Sequence, residues 1–256
     1  ITVKNIRKTS GIKKYSDATI NRYINAAVGK KKNRKHDPST GGDISWKKKL
    51  LPFELIQEDI KYLKDIDNLK QYFASSKNNY QGIKVKYQIT FRDVCTGLAI
   101  VCYCDEKSVY YTTKAIKEIL YPFLKQFKGL DLKKITIQTD NGLENTNRLL
   151  KTRGKEPDKS TFTKFVEENF KKHKLNIPGH CTADSEVESF HWSIERDCLA
   201  WDDIIDNESL IKYTSEYMNE YIRSVIKTRG YSPIDKIKET YDIDNIIYPM
   251  PQILSV

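Results

Sequence analysis

Three acidic residues, Asp59, Asp140 and Glu188, stand where the chain could deliver carboxylates to one point. Asp140 lies in Ile135–Glu144 (ITIQTDNGLE), where Ile135 and Ile137 alternate as in a strand and Asp140-Asn141-Gly142 follows at once. Asn and Gly tolerate positive φ, so such a strand turns sharply and leaves Asp140 at the mouth of a sheet. A plain turn is the competing reading of those few residues. Asp59 lies inside ELIQEDIKYL among apolar neighbours, where a charge without a partner or a metal is costly. Glu188 belongs to a segment whose Val187, Phe190 and Ile194 recur at helical spacing. Three hard oxygen donors converging at a sheet edge can hold two divalent ions. Such a pair activates an attacking oxygen and neutralises a leaving one in phosphodiester chemistry. Taken singly, each acid reads as surface charge or a cap, and Glu186 rivals Glu188 from a different helix face.

Those acids need a sheet and a helix to carry them. Glu54–Leu63 reads as a first strand, and 64–80 as a polar loop. Ile83–Cys95 and Leu98–Cys104 are period-two apolar runs joined through Asp93–Gly97, which predicts an antiparallel hairpin. Ser108–Phe127 carries an amphipathic stripe and predicts a helix. After the strand at Ile135–Gln138, helices are expected over Phe162–His173, Asp184–Leu199 and Leu210–Ile226, with a short apolar step at Lys174–Ile177. Tyr241–Val256 reads as an extended tail. Strand, hairpin, helix, strand, helix, helix is the order of a mixed-sheet α/β domain.

The first fifth of the chain differs in kind. Residues 1–50 hold fourteen Lys/Arg against three acids, a balance of +11, and the other 206 residues sum to −1. Such asymmetry is the electrostatic footprint of a nucleic-acid contact, with a solvated tail as the plainer alternative. Residues 1–29 read as two short helices around Thr9-Ser10-Gly11, a helix-turn-helix-like segment. KKKNRK at 30–35 then enters a Pro/Gly/Ser-rich linker running to about residue 49. Arg22, Lys30, Lys31, Lys32, Arg34 and Lys35 are the candidate DNA contacts.

Other classes find little support. No Ser-His-Asp elbow, Walker loop or dinucleotide fingerprint is present. No run approaches the length of a membrane span and none resembles a signal peptide. The five cysteines lack a disulfide or zinc framework, although His173, His180, Cys181 and His191 could be assembled into a site on paper. Buried reduced thiols and a cytoplasmic setting are the expectation.

Four stretches, in order, resemble the DDE transposases and retroviral-type integrases, above all bacterial insertion-sequence transposases. They are Pro52–Leu63 (PFELIQEDIKYL), Thr139–Glu144 (TDNGLE), Val187–His191 (VESFH) and Tyr217–Pro233, which ends in Tyr231-Ser232-Pro233. The resemblance implies a ribonuclease-H-like catalytic core over about residues 50–238, after the basic linker at 30–49 and before a tail at 239–256. It implies that Asp59, Asp140 and Glu188 are catalytic, metal-binding acids using two Mg²⁺ or Mn²⁺ ions. It further implies strand cleavage and strand transfer at mobile-element ends, with transposon-end and target DNA and a homo-oligomer as partners, in a bacterial, nucleoid-associated setting. His191 and Arg196, just past the Glu, are further candidate DNA contacts. Two departures stand out. The 47 residues between Asp140 and Glu188 exceed the family's usual interval, and Glu195 occupies a position where Lys or Arg is common. A catalytically inactive DNA-binding regulator and a hydrolysis-only nuclease of the same fold remain open.

Overall fold

The computed structural model describes residues 47, 49–73, 82–147, 157–177, 185–200 and 204–255. The helix-turn-helix-like segment, the linker and the candidate contacts Arg22, Lys30, Lys31, Lys32, Arg34 and Lys35 lie outside the described residues.

The strand β1 (Leu55–Tyr62) is followed by the predicted hairpin, β2 (Tyr87–Asp93) and β3 (Ala99–Cys104). Helix α1 (Val109–Ala115) runs through a π-helical turn at Ile116–Leu120 into α2 (Tyr121–Lys125). Then come β4 (Thr136–Thr139), α3 (Thr161–Asn169), β5 (Lys172–Leu175) and α4 (Ser185–Ile194), which ends in a π-helical turn at Glu195–Leu199. Helices α5 (Asn207–Tyr221) and α6 (Pro233–Tyr241) and the two-residue β6 (Gln252–Ile253) complete the chain. The sheet order is β5-β4-β1-β2-β3-β6. The first three strands pair antiparallel, while β4 lies parallel to β1 and β5 parallel to β4. This is the ribonuclease-H-like mixed sheet with flanking helices that the resemblance implies. Among the described residues no helix is long and apolar enough to cross a membrane.

The sheet's middle is sealed on both faces. All six residues of β3 are buried, as are six of the seven in β2. Cys95, Cys102, Cys104 and Cys198 are buried free thiols, and burial pushes Cys95 and Cys104 up to about 12, so they pack as small apolar groups. His180 and Cys181 lie outside the described residues.

Four expectations differ from what the chain does. The stretch after β1 is not a plain polar loop: Leu63, Ile66 and Leu69 are buried along two 3-10 turns, Leu63–Asp65 and Lys70–Tyr72, because apolar residues three apart align on a three-per-turn helix. The helix over Ser108–Phe127 is interrupted at its π-helical turn. Pro122, in the first turn of α2, has no N–H to give to the preceding turn. The helix over Phe162–His173 stops at Asn169, and 172–175 joins the sheet because His173 and Leu175 alternate with the exposed Lys172 and Lys174. The tail is also more than an extension. Gln252–Ile253 pairs with β3, and Leu254 N–H donates to Tyr103 O.

Candidate active site

Parallel pairing sets the site. The β1/β4 register runs from Leu55↔Thr136 to Gln57↔Gln138, so Asp59, two residues on along β1, and Asp140, in the turn just past the end of β4, lie toward the same end of the two strands. Neighbouring strands are about 5 Å apart, so the two carboxylates share one end of the sheet. Strand β4 stops there because the Asp140 side chain closes its own turn: Oδ1 accepts the Gly142 N–H at 2.9 Å. The carbonyl of Gly142 then accepts the amides of Asn145 and Thr146, both at 3.0 Å. His173 braces this end from β5. Its Nε2 lies 2.9 Å from the Thr139 hydroxyl, which itself donates to the Asp140 carbonyl, and its Nδ1 lies 3.0 Å from Thr163 on α3.

Side chains alternate across a strand, so Gln57, Asp59 and Lys61 share one face of β1, the face that α4 crosses. The contacts along that helix keep step with the strand. Gln57 accepts the Val187 N–H at 3.2 Å, Asp59 Oδ2 lies 3.5 Å from His191 Nδ1, and Lys61 pairs with Glu195 at 2.6 Å. His191 is buried, and its Nε2 sits 2.9 Å from the Thr90 hydroxyl. Burial, with Lys61 and Arg92 adding to it, holds this imidazole down to about 3, so it is neutral. His191 is thus buried beside Asp59 and Thr90. Arg196 is on the exposed side. It forms a two-bonded pair with Asp197 at 2.8 and 2.6 Å and lies 6.0 Å from the ring centre of the exposed Trp192. Glu195, where a basic residue is common, is committed to Lys61.

Glu186 and Glu188 differ in their contacts. Glu186 pairs with Arg229 at 2.6 Å and lies 3.9 Å from Arg92, whereas Glu188 is exposed in the first turn of α4. The three predicted acids are not drawn into one cluster. Among the described residues no set of three or more His, Cys, Asp or Glu side chains is arranged to hold a metal ion.

Four residues around Asp59 and Asp140 have no counterpart in the sequence-level reading. On the other face of β1, Glu58 is fully buried, and neither of its carboxylate oxygens has a hydrogen-bond partner. Burial foremost, then the charges of Asp59, Asp140 and Glu144, push its pKa well up, while the nearby Asn145 amide works in the opposite direction. Lys107, in the turn after β3, pairs with Glu144 at 2.6 Å. Burial disfavours its charge, but Glu144, then Asp140 and Asp59, more than offset that and raise its pKa. Hard carboxylate oxygens such as those of Asp59 and Asp140 are the donor type that Mg²⁺ or Mn²⁺ takes. Glu144 and Asn145 could have been found from the motif itself, since TDNGLEN carries both; nothing in the sequence singles out Lys107 or Glu58.

The His173 brace carries a pH prediction. Burial, partly offset by Glu167, holds its folded pKa down to about 4, against the ordinary 6.5 of the unfolded chain. Between those values the unfolded chain binds the proton and the fold does not. The stability His173 contributes is therefore complete above pH 6.5 and is lost as pH falls toward 4, by roughly 3 kcal/mol in all. Urea unfolding of His173→Gln across that window is expected to show a shallower loss than wild type. Equal slopes would rule out a neutral buried His173.

No protein-family model matches the chain, and no curated protein matches it. Among solved structures the chain is similar to the HTLV-2 integrase catalytic core domain in complex with magnesium in its trimeric form. The likeness has 18% identity over 73% of this chain and 97% of that one, with a TM-score of 0.41. It is also similar to a chain of the simian T-cell lymphotropic virus intasome in complex with PP2A regulatory subunit B56 gamma. There the identity is 13%, over 81% of this chain and 60% of that one, with a TM-score of 0.44.

Proposed function

We propose that the chain cleaves DNA strands at mobile-element ends and joins the resulting 3′-hydroxyl to target DNA, as a DDE transposase or integrase. The reading rests on one observation: Asp59 on β1 and Asp140, just past the end of the adjacent parallel strand β4, lie at the same end of a ribonuclease-H-like sheet. Asp59, Asp140 and, from α4, Glu188 would hold Mg²⁺ or Mn²⁺, two ions in the full site. When bound, the ions supply Lewis-acid activation of the attacking oxygen and neutralise the leaving one.

The chain's own residues do the rest. His191 orients the Asp59 carboxylate, and the Asp140 turn and the His173 brace fix the second acid. Lys107 holds Glu144 beside them and offsets the charge of the acids while DNA is absent. Arg196, exposed and backed by Trp192, offers its guanidinium to a phosphate. Arg22, Lys30, Lys31, Lys32, Arg34 and Lys35 are proposed to neutralise phosphates, and each contact should add nearly one unit to the negative salt slope. A homo-oligomer on DNA and a bacterial, nucleoid-associated location belong to the same proposal.

The test is a short duplex with a pre-cut end, incubated with the protein and a target duplex in Mn²⁺ or Mg²⁺. Metal-dependent joined product supports the reading. Metal-dependent cleavage with no joining on any pre-cut end would reduce it to a hydrolytic nuclease, and DNA binding with neither reaction would leave the regulator.

A further inference from the structure

Glu186 opens α4 in a buried contact with two arginines from elsewhere in the chain. Arg229 Nη2 donates to Glu186 Oε2 at 2.6 Å, and Arg92 Nη2 lies 3.9 Å from the same oxygen. Both arginines are themselves fixed. Arg229 Nη1 donates to the carbonyls of Val94 and Cys95 at 2.8 and 2.5 Å, and Arg92 Nη1 donates to Gly97 O at 2.7 Å. The β2–β3 turn makes room for them. Gly97 has φ +75°, and a Cβ there would stand 2.9 Å from Arg229 Nε and 3.3 Å from Arg92 Nη2. Arg229 is held in turn by its own segment, where Ile226 bridges Tyr231 and the Tyr231 hydroxyl donates to Cys95 O at 3.0 Å.

From this geometry we infer that Arg229 is a positioning residue: through Glu186 it clamps the first turn of α4 to the hairpin and so sets where Glu188 stands. The acid at a helix N-terminus also meets the favourable end of the helix dipole. The clamp and the Gln57–Val187 bond grip the same turn from two strands. The carboxylate two residues further on is therefore delivered by a fixed helix end. Arg229 touches no reacting atom in this account. Its effect passes through Glu186 and the backbone, as groups that orient a metal ligand commonly act. The consequence for Glu188 rests on the proposed function; the clamp itself does not.

The test uses Arg229→Met, Glu186→Gln and the double variant, in the full chain. Hydrogen exchange of the Val187–His191 amides is followed by mass spectrometry, Mn²⁺ affinity by calorimetry, and cleavage by a kcat-against-KM split. Each single variant is expected to speed exchange in that turn while the β1–β3 amides keep their protection. Each is also expected to weaken Mn²⁺ binding or kcat by about tenfold to a hundredfold, with KM for DNA unchanged. The double variant should be no worse than Arg229→Met alone, because that variant already loses the Glu186 contact together with the bonds to the Val94 and Cys95 carbonyls. Should Arg229→Met fold poorly, Glu186→Gln removes the same contact from the helix side. Unchanged exchange in the turn overturns the clamp. Faster exchange with unaltered Mn²⁺ affinity and kcat overturns its role in placing Glu188. If the wild type neither binds Mn²⁺ nor cleaves, the proposed function fails, and the clamp stands or falls on exchange alone.

Discussion

Asp140→Asn is expected to lower strand cleavage by about a thousandfold or more while DNA affinity stays the same or rises. The variant keeps the local fold, because the Asn side-chain oxygen can still accept the Gly142 N–H that Asp140 Oδ1 accepts at 2.9 Å. What is lost is the negative charge beside Asp59. A divalent ion at a phosphodiester contributes several kcal/mol of charge stabilisation, and each loss of about 1.4 kcal/mol is tenfold in rate. A neutral amide in place of a carboxylate gives up most of that. Affinity moves the other way because a charge that repels phosphate is gone. The measurement is single-turnover cleavage in Mn²⁺ beside a binding titration at fixed salt. Cleavage near the wild-type rate in Asp140→Asn would remove Asp140 from the proposed chemistry. An equal loss of cleavage and of binding would make the residue a structural one.

The parts of this site were not equally legible in the sequence. Strand β4 and its turn could be read directly, since alternating isoleucines ahead of Asp-Asn-Gly leave the backbone few choices, and the hairpin showed the same period-two pattern. His173 could not be read in the same way. Its segment follows a helix without a Gly or Pro to mark the boundary, and only pairing with β4 turns KHKL into a strand and brings the imidazole to Thr139. His191 carried no sign of direction either. Two residues past the exposed Ser189 it could have faced solvent, and the α4 crossing of β1 places it beside Asp59 instead. Glu58 illustrates the general limit. A run such as QED in a strand shows which side chains alternate, yet it does not show which face the rest of the protein seals, and here the sealed face received the acid with no partner. The ion pairs that fix α4, Lys61–Glu195 and Arg229–Glu186, join residues far apart in the chain, so no local pattern announces them.

Phe190→Ala is expected to cost about 3–5 kcal/mol of stability, the range for emptying a buried phenylalanine site. Phe190 is 1% exposed and lies between the two residues of α4 that matter most to the site, Glu188 and His191. Its ring meets Tyr221 of α5 edge-on, with centroids 5.2 Å apart, and the Arg92 guanidinium lies 5.3 Å from its centre. Removing the ring takes away apolar burial and leaves Arg92, which already has an unpartnered buried Nε, over a cavity. For a domain of this size the midpoint of thermal unfolding should fall by roughly 10 °C. Trp192→Ala, two positions along, is the matched control. That side chain is 65% exposed, so its loss should shift stability by no more than about 0.5 kcal/mol. The contrast separates the two faces of one helix. If both variants lost stability equally, α4 would not be packed on the sheet through Phe190, and neither His191 nor Glu188 would stand where the site requires. If Phe190→Ala alone is destabilised, cleavage measured well below its melting point tells whether the helix keeps its register. A loss in kcat there, with DNA binding intact, is the expected result, because the acid at Glu188 rides on the turn that Phe190 anchors.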